Sequence, residues 1–81
     1  MNTTLSIVVA AIQSIAPEVD ESDLVPGARL QEDLDLDSMD FLDVITELAI
    51  RTGVEIPERD YPQLATVQGC VDYLAGLTAT V

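Results

Sequence analysis

The sequence predicts an all-α fold: a small four-helix bundle, with three main helices plus one short helix and a long first loop. Three observations carry this expectation. Apolar residues recur at three- and four-residue spacing in three separate segments. No segment alternates apolar and polar residues with the two-residue period of a strand. The chain of 81 residues suits a single domain, 1–81, with no room for a second core.

In the first segment Leu5, Val8, Val9, Ile12 and Ala16 mark one helix face, with Thr3 or Thr4 available as a cap and Pro17 setting the end. Glu18 to Asp37 is polar and non-periodic, with its strongest turn signal at Pro26-Gly27. Leu24, Val25, Leu30 and Leu34 are spaced along it as anchors to the core. A loop of this length in so small a domain usually carries function. A second helix is expected from Ser38 to about Thr52, stopped by Gly53. Val54 to Pro57 reads as an extended connector, and Glu58 to Tyr61 as one helical turn before Pro62. The last helix follows Thr66 as N-cap, with Val67, Cys70, Val71, Leu74 and Leu77 facing inward.

Composition narrows the function classes. Fifteen Asp and Glu stand against three arginines and no lysine, a formal net charge of −12. Nucleic acid and anionic membrane surfaces repel such a chain, while basic protein partners are steered toward it. Apolar residues make up 48% of the sequence, too many for a disordered chain. The apolar N-terminal run lacks the basic start and cleavage site of a secretory signal, and it is too short to span a bilayer. The expected setting is the cytoplasm, with the protein a monomer; Asn2-Thr3-Thr4 then matches a glycosylation acceptor by chance.

Chemistry that needs histidine is excluded, because the chain has none. Ser38 therefore has no histidine or lysine base to make it a hydrolytic nucleophile. Cys70 lies on the inward face with Val67 and Val71 and reads as a core residue. Asp33, Asp35 and Asp37 alternate like the first ligands of a calcium loop. Such a loop needs glycine and a bidentate glutamate where this chain has Ser38 and Val44.

The second helix is two-faced. On a wheel of about 100° per residue, Phe41, Leu42, Val44, Ile45, Leu48 and Ala49 form the core side. Asp40, Asp43 and Glu47 lie opposite, with Met39 and Ile50 beside Asp43 on the exposed flank. No basic residue is expected to offset the stripe at four-residue spacing. An acidic row edged with apolar residues fits docking to a basic, partly apolar partner. From Asp37-Ser38 alone, capping explains Ser38 at the helix start better than carrying a modification does. A phosphodiester on it would meet unsatisfied N–H groups at a terminus of about +0.5 effective charge.

The run Glu32-Asp33-Leu34-Asp35-Leu36-Asp37-Ser38-Met39-Asp40 resembles the signature of acyl carrier proteins, where Asp-Ser-Leu or Asp-Ser-Met opens the second helix. The resemblance continues through Glu55-Ile56-Pro57, the short helix, and Ala65 to Leu74. It implies a non-enzymatic carrier. A phosphopantetheinyl transferase would place 4′-phosphopantetheine from coenzyme A on Ser38, using magnesium, and the arm would hold acyl or aminoacyl groups as thioesters. Asp37 and Met39 would flank the site. Asp40, Asp43, Glu47 and Ile50 would meet partners: the transferase, an acyl or aminoacyl ligase or transferase, and downstream synthases. The core side of the second helix would border any pocket for the cargo. Asp35, where the family often has glycine, and Ala49-Ile50-Arg51, where fatty-acid carriers are acidic, point to a specialised lipid or secondary-metabolite pathway. Asp-Ser-Met is also similar to D-alanyl carriers. The rival expectation is an acidic helical interaction module that carries nothing.

Overall fold

A computed structural model describes residues 3–79, without the side chains of 77–79. Asn2 and the Leu77 side chain lie outside this description. Helix α1 spans Thr3–Ile15, α2 spans Ser38–Thr52 and α3 spans Val67–Ala79. A 3₁₀ turn, Glu21–Asp23, lies in the first loop, and a 3₁₀ helix, Glu58–Leu64, separates α2 from α3. No strand occurs among the described residues; one isolated bridge joins Arg29 to Thr66. The expected helical bundle is the fold observed.

The core is drawn from every main element: Val8, Ala11 and Ile12 of α1, Val44, Ile45 and Leu48 of α2, Leu64 of the 3₁₀ helix, and Val67, Cys70 and Leu74 of α3. Leu5, expected on the buried face of α1, is partly exposed. Thr3 and Thr4 lie inside the helix, so its cap falls outside the described residues.

The first loop is held rather than loose. Val19, Leu24, Ala28, Leu30, Leu34 and Leu36 are buried in the same core. Val25, expected to anchor with them, points outward at 54% exposure. Backbone bonds fasten the loop to the start of α3: Leu30 N–H donates to the carbonyl of Ala65 at 2.9 Å, Val67 N–H to Ala28 at 3.0 Å and Gln68 N–H to Pro26 at 2.9 Å. Two of the orphan amides of α3 are thereby satisfied by the loop. A third, on Gly69, donates to the cap hydroxyl of Thr66 at 2.9 Å, as expected for an N-cap threonine. At the other end of the loop Asp35 has φ 61°, the left-handed region that glycine adopts freely and aspartate tolerates.

The short helix runs past Pro62 instead of ending before it. The 3₁₀ backbone has the φ that the pyrrolidine ring already holds, and in so short a run the missing N–H removes a single bond. Tyr61 packs its ring edge-to-face on Phe41 of α2, with centroids 6.3 Å apart, and Asp60 accepts from the Tyr73 hydroxyl of α3 at 2.6 Å. That bond and the neighbouring negative charge raise the pKa of Tyr73.

Two glycines of α3 should respond oppositely to alanine. A Cβ on Gly69 would collide with the carbonyl oxygen of Gln63, whereas one on Gly76 would meet open space. Gly69→Ala should destabilise by about 1–3 kcal/mol and Gly76→Ala should stabilise by up to about 1 kcal/mol, read from urea denaturation. At Asp35, a β-branched Asp35→Val should cost about 1–2 kcal/mol relative to Asp35→Gly, since only glycine adopts that φ without strain. Equal midpoints for these two variants would contradict the left-handed assignment.

Candidate functional site

The start of α2 is built by Asp37. Its backbone is extended, and its Oδ1 accepts from the amide of Asp40 at 2.8 Å. Its carbonyl accepts the first helical bond, from Phe41, at 2.9 Å. Asp37 is therefore the N-cap, and Ser38 is the first helical residue. The capping explanation of Ser38 fails by one position. Ser38 is exposed, and its hydroxyl is not committed to the cap. The N–H groups of Ser38 and Met39 have no acceptor within the helix. An exposed hydroxyl beside open amides, at the positive end of a helix of 15 residues, fits a phosphodiester.

The three alternating aspartates have separate tasks. Asp33 accepts from the backbone N–H of Arg29 at 2.8 Å and from its guanidinium at 3.3 Å. The backbone bond first, and the guanidinium next, hold the Asp33 carboxyl below the usual range. Asp37 caps the helix, and Asp35 shapes the turn between them. The carboxylates of Asp33 and Asp37 are engaged with the chain's own backbone, and no group of three or more side chains able to hold a metal ion occurs among the described residues.

Along α2 the structure separates the predicted docking residues. Met39 and Ile50 are strongly exposed, at 73% and 71%. Leu42, expected in the core, is instead 44% exposed and joins them. The core side is carried by Val44, Ile45 and Leu48, with Phe41 and Ala49 half-buried against it. Asp40 and Asp43 lie beside the apolar strip. Glu47 differs from them: its Oε1 accepts from Nε of Arg51 at 2.9 Å, so the expectation of an unpartnered stripe is wrong at this residue. The signal was present as Glu47-x-x-x-Arg51, the favourable order for a helical ion pair. Gly53 closes the helix in the left-handed conformation, its N–H on the carbonyl of Ala49 at 2.8 Å.

An open apolar hollow of about 100 Å³ is lined by Leu5, Leu24, Pro26, Val67, Gln68 and Val71. It lies between α1, the first loop and α3. None of its lining comes from α2, so it is not the cargo pocket expected beside that helix. Cys70 is fully buried, with Sγ 3.4 Å from the Leu64 carbonyl, and burial pushes its pKa up to about 12. It is a packing residue. No helix among the described residues is long and apolar enough to cross a membrane.

Comparison with known proteins agrees with this geometry. The family described as the phosphopantetheine attachment site matches residues 6–74. An acyl carrier protein of Rubrobacter xylanophilus is 43% identical over 56 residues, covering 69% of each chain. Another from Thermosynechococcus vestitus is 39% identical over 66 residues, covering 82% of each. A mitochondrial acyl carrier protein 2 of Arabidopsis thaliana is 36% identical over 72% of this chain and 46% of its own. The rival reading, a module that carries nothing, gives way to the carrier role. With a match over most of its length, the chain belongs to the acyl carrier protein family, non-catalytic carriers that bear covalent 4′-phosphopantetheine and work with a phosphopantetheinyl transferase and acyl-handling enzymes.

Proposed function

We propose that Ser38 is the attachment residue and that this carrier serves a dedicated pathway. The observation that carries the first part is the Asp37 cap, which leaves an exposed serine hydroxyl at the first position of α2. The bound group supplies a flexible arm whose terminal thiol holds an acyl group as a thioester. The chain's own residues do the rest. The open amides of Ser38 and Met39 offset the charge of the phosphodiester, against the nearby carboxylates of Asp37 and Asp40. Met39 offers the transferase an apolar contact beside the hydroxyl. Asp40, Asp43 and Ile50 mark the face along which partner enzymes dock, with Glu47 modulated by Arg51.

The specialised role rests on two departures from the family pattern. Asp35 occupies a left-handed position that glycine would fill without strain, placing a carboxylate next to the site. The end of α2 presents Ile50 and Arg51 instead of further acids. A dedicated acyl or aminoacyl ligase, acting in a specialised lipid or secondary-metabolite pathway, fits a face altered in this way. We place the protein in the cytoplasm as a monomer, where its net charge of −12 keeps copies apart.

Incubation with coenzyme A, magnesium and a broad-specificity phosphopantetheinyl transferase should add one phosphopantetheine to the intact mass. Ser38→Ala should abolish the gain while leaving the helical circular dichroism unchanged; a gain that survives in Ser38→Ala overturns the assignment. Thiol titration under native conditions at about pH 8 gives an independent reading, because a thiol with its pKa near 12 stays protonated there. The unmodified protein should show no reactive thiol and the modified protein one. A reactive thiol before modification would contradict the burial of Cys70.

A further inference from the structure

The exposed side of α2 is uneven along its length. Near Ser38 it carries Asp40 and Asp43, and neither pairs with an arginine among the described residues. One turn further on, Glu47 is held by Arg51 at 2.9 Å, with the two side chains 27% and 37% exposed. The pair is favoured three ways. Glutamate precedes arginine by four residues, the better order in a helix. Arg51 lies in the last turn, where the helix terminus favours a cation. Both groups are partly withdrawn from solvent, which weakens screening by salt. Beside this neutralised pair, Met39, Leu42 and Ile50 expose apolar surface along one strip of the same helix. Apolar side chains grouped on an otherwise highly charged protein mark an interaction surface.

We propose that Arg51 determines which enzymes this carrier docks. By holding Glu47 in an ion pair, it leaves a face acidic only at the turn beside Ser38 and apolar further along. The matching partner presents basic residues opposite Asp40 and Asp43, and an apolar patch opposite Leu42 and Ile50. Enzymes that place a cation opposite position 47 must first compete with Arg51 for the carboxylate, and they are disfavoured. The proposal rests on Ser38 being the attachment residue, because the acidic end of the face is defined by that site.

The test measures KM of the full chain for a broad-specificity phosphopantetheinyl transferase, and its dependence on salt, in a set of variants of unchanged helical content. Asp43→Asn should raise KM by about two- to five-fold and flatten the salt dependence, as removal of an exposed docking charge does. Ile50→Gln should raise KM by about three-fold or more with no change in the salt dependence, because an apolar side chain carries no charge for salt to screen. Glu47→Gln leaves the Arg51 cation unpaired on the docking face and should raise KM and flatten the salt dependence. Arg51→Gln should steepen the salt dependence and lower KM, and the double change of Arg51→Gln with Glu47→Gln should reverse both effects. Arg59→Gln makes the same change in net charge away from α2 and should leave the salt dependence as it was. If Arg51→Gln leaves KM and its salt dependence unchanged, if Arg59→Gln acts like Arg51→Gln, or if Ile50→Gln leaves KM unchanged, the proposal is overturned. If the unaltered chain gains no mass, the Ser38 assignment fails, and this proposal fails with it.

Discussion

One hydrogen bond fixes where α2 begins and which residue is left free at its start: the carboxylate of Asp37 accepting the amide of Asp40 at 2.8 Å. Serine and aspartate are both good caps, and either could have opened this helix. Because aspartate takes the position, the helix starts one residue earlier than a Ser38 cap would allow. That choice releases the serine hydroxyl from structural duty and sets it at the rim of a positive terminus. The facing of Val44, Ile45 and Leu48 into the core, and of Met39 and Ile50 out to solvent, follows instead from helical spacing and packing. A cap one residue later would leave the serine occupied with holding the helix together.

Electrostatics in this chain is a matter of scarce cations. With three arginines among fifteen acids, each ion pair removes a large share of the available positive charge. Arg29 is engaged within the loop that leads to α2, held by Glu32 and, at 3.3 Å, by Asp33. Arg51 is engaged at the far end of the same helix. Between these two pairs Asp35, Asp37, Asp40 and Asp43 form a concentrated field around Ser38. The protein thus concentrates its negative potential around Ser38 through where it places its few positive charges.

Much of this was legible in the chain itself. The limits of α2 follow from Asp37-Ser38 and Gly53, and the cap of α3 from Thr66. Three of the readings that differ do so for identifiable physical reasons. Leu42 lies on the rim of the apolar arc, and a helical wheel gives its direction but not how far neighbouring elements reach to cover it. Pro62 is a breaker by the rules of α-helical bonding, which do not govern a 3₁₀ run with few bonds to lose. The wheel also sorts residues by side, and so it passes over the axial pairing of Glu47 with Arg51. At the site, Ser38 and its acidic neighbours could be singled out from sequence. Which of them cap, pair or turn the chain depends on coordinates, because Asp33, Asp35 and Asp37 are chemically identical and differ only in what surrounds them.

The bonds between the first loop and α3 give the molecule a property unlike that of an ordinary loop. The amides of Val67 and Gln68 are sealed by the carbonyls of Ala28 and Pro26 rather than by their own helix. They can exchange with solvent deuterium only when the loop lifts, so the segment and the first turn of α3 open as one cooperative unit. The loop that ends at Ser38 is therefore tied to the last helix, so that a displacement of the loop would bear on Val67 and Gln68, on a different helix from Ser38.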